Sequence, residues 1–480
     1  MSRSRLAPVL LALVLGTVYL ATLLPGVGHE ADTGEMQFCG YVLGVPHPTG
    51  YPTYVLLNHL FTRALPLGSV AWRANLLSAV FAVAAALLLY RLVLSLGARP
   101  AAALSAALTF GVTPTFWLHA VVAEVYSLHV LFVAATALAF LRWRRTGADR
   151  DLFVAGAVLA LSFTHHLTTV TLLPAVAFLV LTTAPRTLLD PRKLAALVVF
   201  AALAALPYAY LVWRSRDPQT PYLAAETSDL SSLLAHVSGA QFRVDMAPFT
   251  AEQLLRVRLP LLLSRWWREF HALLLLVPLG LVRMKDRPAH AFLGLVFAGS
   301  FLFALNYRVR DVEVFLLPCH LVTAVYIGLG LDLVLDRLSR PVGWAVAAVL
   351  PLALGLSQVG EVQRAKGEDA AVRVRRLVET RGPALLLTSY HDFQFVNYMM
   401  LVEGRTGVFA IPDGSLATVR RYLVEGRPIP IPELHKVVPP GLPVYGTRAN
   451  PRRRLIEAGY TIEDLGDGVY RVGAPPSAAR

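Results

Sequence analysis

Asp32 and Glu35 stand three positions apart in the run DTGE, and His47 and Tyr51 follow in the run GVPHPTGYP. On a helical turn that spacing puts both carboxylates on one face, where either can accept a proton from an attacking hydroxyl. Pro46, Pro48 and Pro52 restrict the backbone that carries His47 and Tyr51, so these side chains lose little entropy on meeting a ligand. The stretch from His29 to Tyr51 interrupts strongly apolar sequence and marks a candidate active site at a membrane edge. A plainer reading stands beside it: acids that solvate a loop end, and prolines that turn the chain back.

Other polar residues also interrupt apolar runs. Arg73 follows Trp72 as a membrane anchor would, yet a guanidinium also matches phosphate oxygens through forked hydrogen bonds. Glu124 lies in HAVVAEVYSLHV, and a carboxylate between apolar runs is a functional candidate. His165 and His166 are adjacent, so on a helix they point in different directions, which argues against a shared metal. Arg308 and Asp311 fall in NYRVRDVE, which suits either an anionic head group or internal ion pairs. Asp32 and Glu35 are therefore the candidate catalytic residues. His47, Tyr51, Arg73, Glu124, His165, His166, Arg308 and Asp311 are the candidate substrate contacts. No metal site and no cofactor is expected, and Tyr390, His391 and Asp392 after a strand read mainly as a helix cap.

These residues need elements to hold them. Of 480 residues, 56% are hydrophobic and 16% charged, against about 25% charged in soluble domains. Apolar runs near the ~20 residues that cross a hydrocarbon core recur from Leu6 to about Leu356. They give about eleven spans, at roughly 6–24, 70–90, 101–120, 124–141, 152–164, 167–184, 194–212, 260–282, 289–305, 313–335 and 342–357. The first reads as a retained helix rather than a cleaved leader. Lys and Arg gather in the short connections 91–99, 142–151, 186–193, 283–287 and 336–340, which sets the N-terminus in the cytoplasm of a multi-pass inner (plasma) membrane protein. The net charge of +13 reports that topology and no nucleic-acid partner. Every unusual polar cluster then falls on the opposite face, together with the long loop 213–259, in which Leu230, Leu233, Leu234 and Val237 follow Ser228 at helical spacing.

After residue 356 the apolar runs shorten. Residues 384–388, 408–411 and 444–447 read as strands, and 393–403, 415–425 and 451–458 as helices. The expected fold class is mainly α: a polytopic transmembrane helical bundle at 1–356 with a small C-terminal extracytoplasmic α/β domain at 357–480. Cys39 and Cys319 are too few for a disulfide framework, and no P-loop or dinucleotide fingerprint occurs.

The blocks DTGE at 32–35, LGVPHPTGYPTY at 43–54 and WRANLLSA at 72–79 resemble the hallmark of a membrane family of formerly unknown function. That family includes a eukaryotic transmembrane protein O-mannosyltransferase and belongs to the GT-C glycosyltransferase superfamily. AEVYSL at 123–128, FTHHLT at 163–168 and NYRVRDVEVFLLP at 306–318 extend the resemblance over most of the membrane part. Thr33 stands where members often have serine, and Arg308 where they often lack arginine. The resemblance implies a GT-C-like bundle that takes a sugar from a polyprenyl-phosphate donor and passes it to an extracytoplasmic hydroxyl of a protein, glycan or lipid acceptor. It also implies a metal-independent reaction with Asp32, or else Glu35, as general base, while Arg73, His165, His166 or Arg308 offset the leaving phosphate. The alternatives are a polytopic transporter or lipid flippase among membrane lipids, and a non-catalytic envelope assembly or sensor protein.

Overall fold

The computed structural model describes residues 3–28, 32–366, 368–412, 415–447, 449–466 and 468–475; His29 lies outside them. Among the described residues, six helices are long and apolar enough to cross a membrane: Val70–Ser95, Tyr126–Thr146, Pro191–Arg216, Arg287–Asn306, Val312–Leu335 and Arg340–Ala365. The chain is mainly helical and multi-pass. Other expected spans are helical over shorter lengths, at Leu6–Thr22, Asp149–Phe163 and Leu167–Thr183. The run at 101–120 is a pair, Pro100–Gly111 and Pro114–Val121, bent by 68°, because Pro114 cannot continue the hydrogen-bond ladder. The run at 260–282 breaks into Leu259–Phe270, His271–Leu276 and Val277–Arg283, with His271 at φ 46.

The helix Leu317–Leu335 is almost wholly buried and sits at the centre of the bundle. Two glycines let the broken run meet it backbone to backbone. A Cβ on Gly330 would lie 2.0 Å from the Leu276 carbonyl oxygen, and one on Gly280 2.0 Å from that of Tyr326, so only glycine fits at either position. Small side chains such as Ala82, Ala86, Ala102 and Ala106 line the buried faces of Val70–Ser95 and Pro100–Gly111 in the same core.

Helix Arg340–Ala365 continues past residue 356, so the change of architecture lies beyond Ala365. Helix Glu368–Arg381 then leads into β1 (Ala384–Leu387), β2 (Val408–Ile411), β3 (Ile429–Ile431), β4 (Lys436–Val438), β5 (Val444–Gly446), β6 (Thr461–Gly466) and β7 (Val469–Gly473). The main sheet has the order β2-β1-β5-β7-β6, with β1 parallel to β2 and β5, while β3 and β4 form a separate antiparallel pair. All of β1 is buried, which explains its unbroken apolar run. β6 and β7 carry no such run because exposed residues interrupt both.

The core of this domain does not end at the membrane part. Its buried cluster takes in Phe38, Cys39, Val70, Ala71 and Tyr222 beside Leu385, Phe395 and Tyr398. The backbone N–H of Ala71 donates to the Tyr398 hydroxyl (3.0 Å). The α/β domain and the start of Val70–Ser95 thus share one apolar interior.

Candidate active site

The DTGE run opens the short helix Thr33–Val42, with Asp32 at its N-cap and Glu35 in its first turn. The proline turn follows and delivers His47 to both acids. Nδ1 of His47 contacts Glu35 Oε2, its backbone N–H donates to Glu35 Oε1 (3.1 Å), and its Nε2 lies 3.4 Å from Asp32 Oδ2. The Tyr51 hydroxyl lies 3.3 Å from His47 Nε2. The acids differ in exposure: the Glu35 side chain is 0% accessible and that of Asp32 34%. Asp32 therefore faces a cavity of about 560 Å³, and Glu35 stands behind His47.

Charge sets the protonation of this cluster. Burial disfavours the His47 imidazolium, but the charges of Asp32 and Glu35 outweigh that and hold its pKa at about 10. Burial raises the Asp32 carboxyl above its ordinary value, His47 opposes the rise, and Glu35 adds to it. Asp311, also on the cavity wall, is pushed up to about 6 by burial and by Asp32. Asp32, Glu35 and His47 bring their ligating atoms within 4.8 Å of one another, a set that can hold a cation. The protonated imidazole already supplies a positive charge between the two carboxylates.

Not every residue singled out from the sequence reaches the cavity. His47, Tyr51, His166 and Asp311 line it with Asp32. Glu124 is buried behind the first loop: its Oε1 accepts from the Asp32 backbone N–H (3.0 Å) and its Oε2 from that of Val125 (3.3 Å). It holds the loop rather than facing the cavity. His165 turns away, with Nε2 against the Val125 carbonyl (2.8 Å). Arg73 donates to the carbonyls of Thr62 (2.6 Å) and Leu65 (2.7 Å), so it caps the end of helix Pro52–Ala64. Arg308 pairs with Asp245 (2.8 Å) and donates its backbone N–H to the same residue (2.9 Å), tying the 213–259 loop to the 306–311 segment. Burial and the neighbouring histidines lower the pKa of His166 far below the usual range, and burial holds His165 at about 3. Both are neutral, so neither offsets an anion by charge.

The guanidinium on the cavity wall belongs instead to Arg243, the one Lys or Arg that lines it among the described residues. It hydrogen-bonds Ser238 Oγ (3.4 Å) and forms no ion pair among the described residues. Arg243 sits in the turn after helix Leu230–Val237, whose N-cap is Asp229 rather than Ser228: the Asp229 carboxylate accepts from the N–H groups of Ser231 (2.7 Å) and Ser232 (3.0 Å). Nothing local in the sequence set Arg243 apart. Tyr222 of the same loop, and Tyr390, Phe393, Pro412 and Glu433 of the α/β domain, complete the wall. Asn75 staples the first loop from behind: its Oδ1 accepts from Gln37 Nε2 (2.8 Å) and the Ala123 N–H (2.8 Å), and its Nδ2 donates to the Leu24 carbonyl (2.8 Å).

Residues 32–189 match the family of the "Protein O-mannosyl-transferase TMEM260 N-terminal domain". Among curated proteins, the mouse protein O-mannosyl-transferase TMEM260 is 31% identical over 228 residues, which cover 46% of this chain and 31% of that protein. Its Dictyostelium discoideum counterpart is 25% identical over 253 residues, 49% of this chain and 31% of that one. The match thus spans about a third of the length of these relatives. Over nearly the full length, the fold is similar to crystal structures of ArnT from Cupriavidus metallidurans. The form bound to undecaprenyl phosphate gives a TM-score of 0.60 at 14% identity, covering 98% of both chains. The apo form gives 0.62 at 14% identity, covering 97% of both. The chain is a multi-pass membrane protein with a GT-C-like fold, and its residues 32–189 are similar to the TMEM260 N-terminal domain.

Proposed function

We propose that this protein is a membrane glycosyltransferase that moves a sugar from a polyprenyl-phosphate carrier to an acceptor hydroxyl on the extracytoplasmic face. One observation carries the assignment: a carboxylate, Asp32, opens into a cavity whose wall also bears the guanidinium of Arg243, which forms no ion pair among the described residues. The two groups supply the opposite needs of glycosyl transfer. The acceptor oxygen attacks the anomeric carbon and gives its proton to Asp32, while the bond from that carbon to the phosphate oxygen breaks and its electron pair leaves with the phosphate. Arg243 offsets the charge that grows there. Negative charge beside an oxocarbenium-like sugar is also favourable. The His47 imidazolium, paired with both acids, takes the place a metal ion would fill. The names of the two curated relatives favour a mannosyl group and a protein acceptor.

A second cavity of about 730 Å³ supports a lipid-linked donor. It lies between helices Asp149–Phe163, Leu173–Thr183 and Pro191–Arg216 and is lined almost entirely by apolar side chains, from Phe140 to Tyr208. Its end at Thr164 adjoins the first loop, because the Thr164 carbonyl accepts the Thr53 N–H (3.3 Å). An isoprenoid chain has the width and apolarity for such a groove.

Purified protein given labelled polyprenyl-phosphate mannose and an acceptor peptide is expected to transfer label covalently, at an unchanged rate in EDTA. Movement of the lipid across proteoliposomes without covalent transfer would favour the transporter and overturn this assignment. The dependence of kcat/KM on pH is expected to be bell-shaped. It rises as the Asp32 carboxyl, whose pKa lies above the usual range, loses its proton, and falls near pH 10 as His47 loses its own. A rate that does not fall as the pH passes about 10 would refute the assignment of His47, and one that does not fall in acid would refute that of Asp32.

A further inference from the structure

A chain of hydrogen bonds enters the acid–base cluster from the α/β domain. Asn397 Nδ2 donates to Gln394 Oε1 (3.4 Å), Gln394 Nε2 donates to the Tyr222 hydroxyl (3.0 Å), and that hydroxyl donates to Glu35 Oε1 (2.8 Å). Glu35 meets Nδ1 of His47, whose Nε2 faces Asp32. Asn397, Gln394, Tyr222 and Glu35 are all buried.

The direction of the chain follows from the groups themselves. An amide has one accepting oxygen and one donating nitrogen. Because Gln394 gives its oxygen to Asn397, it presents N–H to Tyr222. A phenol that accepts this bond directs its single proton to Glu35, and a donor aimed at a carboxylate favours the charged form. The ionised Glu35 in turn fixes the ring of His47, as a carboxylate orients a histidine in other sites.

The backbone makes this geometry rigid. The Tyr222 carbonyl accepts the Val45 N–H (2.9 Å), and the Leu223 N–H donates to the Glu433 carbonyl (2.8 Å), so the segment is clamped between the first loop and the α/β domain. Gly34 of the DTGE run marks the close approach of helix Tyr390–Leu401, since a Cβ there would lie 3.1 Å from Gln394 Cβ.

We propose that Gln394 is a positioning residue: through Tyr222 and Glu35 it holds His47, and with it Asp32, in the orientation that receives the acceptor proton. The α/β domain is then part of the catalytic apparatus rather than a cover over it. The proposal rests on the role of Asp32 in glycosyl transfer given above.

The test uses the full-length protein with Gln394→Leu, Gln394→Glu and Tyr222→Phe. The last variant keeps the edge-on contact with Phe38 (4.9 Å between ring centres) and loses only the hydroxyl. Each is expected to lower kcat about tenfold to a hundredfold, the worth of a hydrogen bond to a charged group, with the donor KM unchanged. The Gln394→Leu/Tyr222→Phe double variant should fall no further than the worse single, because the two groups act in series. Gln394→Glu keeps the size of the side chain but offers an acceptor where Tyr222 needs a donor, and Tyr222→Phe removes only the hydroxyl, so a purely packing role predicts near-wild-type turnover for Tyr222→Phe. Wild-type kcat in Gln394→Glu and Tyr222→Phe, or losses that multiply in the double variant, would overturn the proposal. A readout independent of turnover comes from protein labelled with ¹⁵N-histidine, in which the His47 signal is identified by its loss in His47→Gln. That signal should shift in Tyr222→Phe and in Gln394→Leu, and an unmoved signal also overturns the positioning role. If the wild type transfers no sugar while the signal shifts, the glycosyltransferase assignment fails and the hydrogen-bond chain stands.

Discussion

Asp32→Asn is expected to lower kcat for sugar transfer about 10³-fold, within the range of roughly 10²–10⁴ that a positioned general base contributes. Asparagine keeps the shape and the N-cap position of Asp32, and the backbone N–H that Glu124 holds is unaffected. What it lacks is a basic oxygen on the cavity wall. Donor KM should change little, because the lost interaction belongs to the transition state. Glu35 cannot substitute, since its side chain is fully buried and committed to His47 and Tyr222. Single-turnover transfer from a labelled donor checks this. Turnover within twofold of wild type in Asp32→Asn and Asp32→Ala would remove Asp32 from the chemistry.

Arg243→Ala is expected to cost about 10²–10³ in kcat, the size seen when one preorganised group that stabilises developing charge is removed, and to raise donor KM as well. Among the described residues the guanidinium has no carboxylate partner to release, so the change leaves none of them unpaired. It also sits in an exposed turn, where truncation should hardly alter the melting temperature. Lysine at 243 should restore part of the loss, because it returns the charge without the forked geometry. By contrast, Arg308→Ala should act through the loop it pins to Asp245 and lower stability together with activity. Equal kcat losses in the two variants, with no loss of stability in either, would contradict the separation of roles.

Much of this was legible in the residues. The apolar runs announced a multi-pass membrane protein, and the first-loop acids and the proline turn a polar cluster at one edge of it, because spacing and hydrophobicity are local properties of a chain. The strands at 384–388, 408–411 and 444–447 were legible for the same reason, with buried parallel strands reading as short apolar runs. Where local pattern failed, the partner was remote. Arg73 and Arg308 carried the sequence signals of a phosphate site, yet their guanidiniums satisfy a helix end and an aspartate. His165 and His166 looked like charge and are neutral, because the interior that surrounds them disfavours the proton.

The sequence by itself determined the apolar bundle, the change of architecture after its last span, and the first-loop segment with Asp32 and Glu35 as its candidate acids. Only the tertiary structure decided that Asp32 rather than Glu35 faces the cavity and that Arg243 is the one lysine or arginine among the described residues on its wall. Only the fold, too, brought Gln394 to within two hydrogen bonds of Glu35. The physical reason is the same in each case. Exposure and pairing are set by contacts between residues hundreds of positions apart, and neither periodicity nor composition records which remote surfaces close on one another.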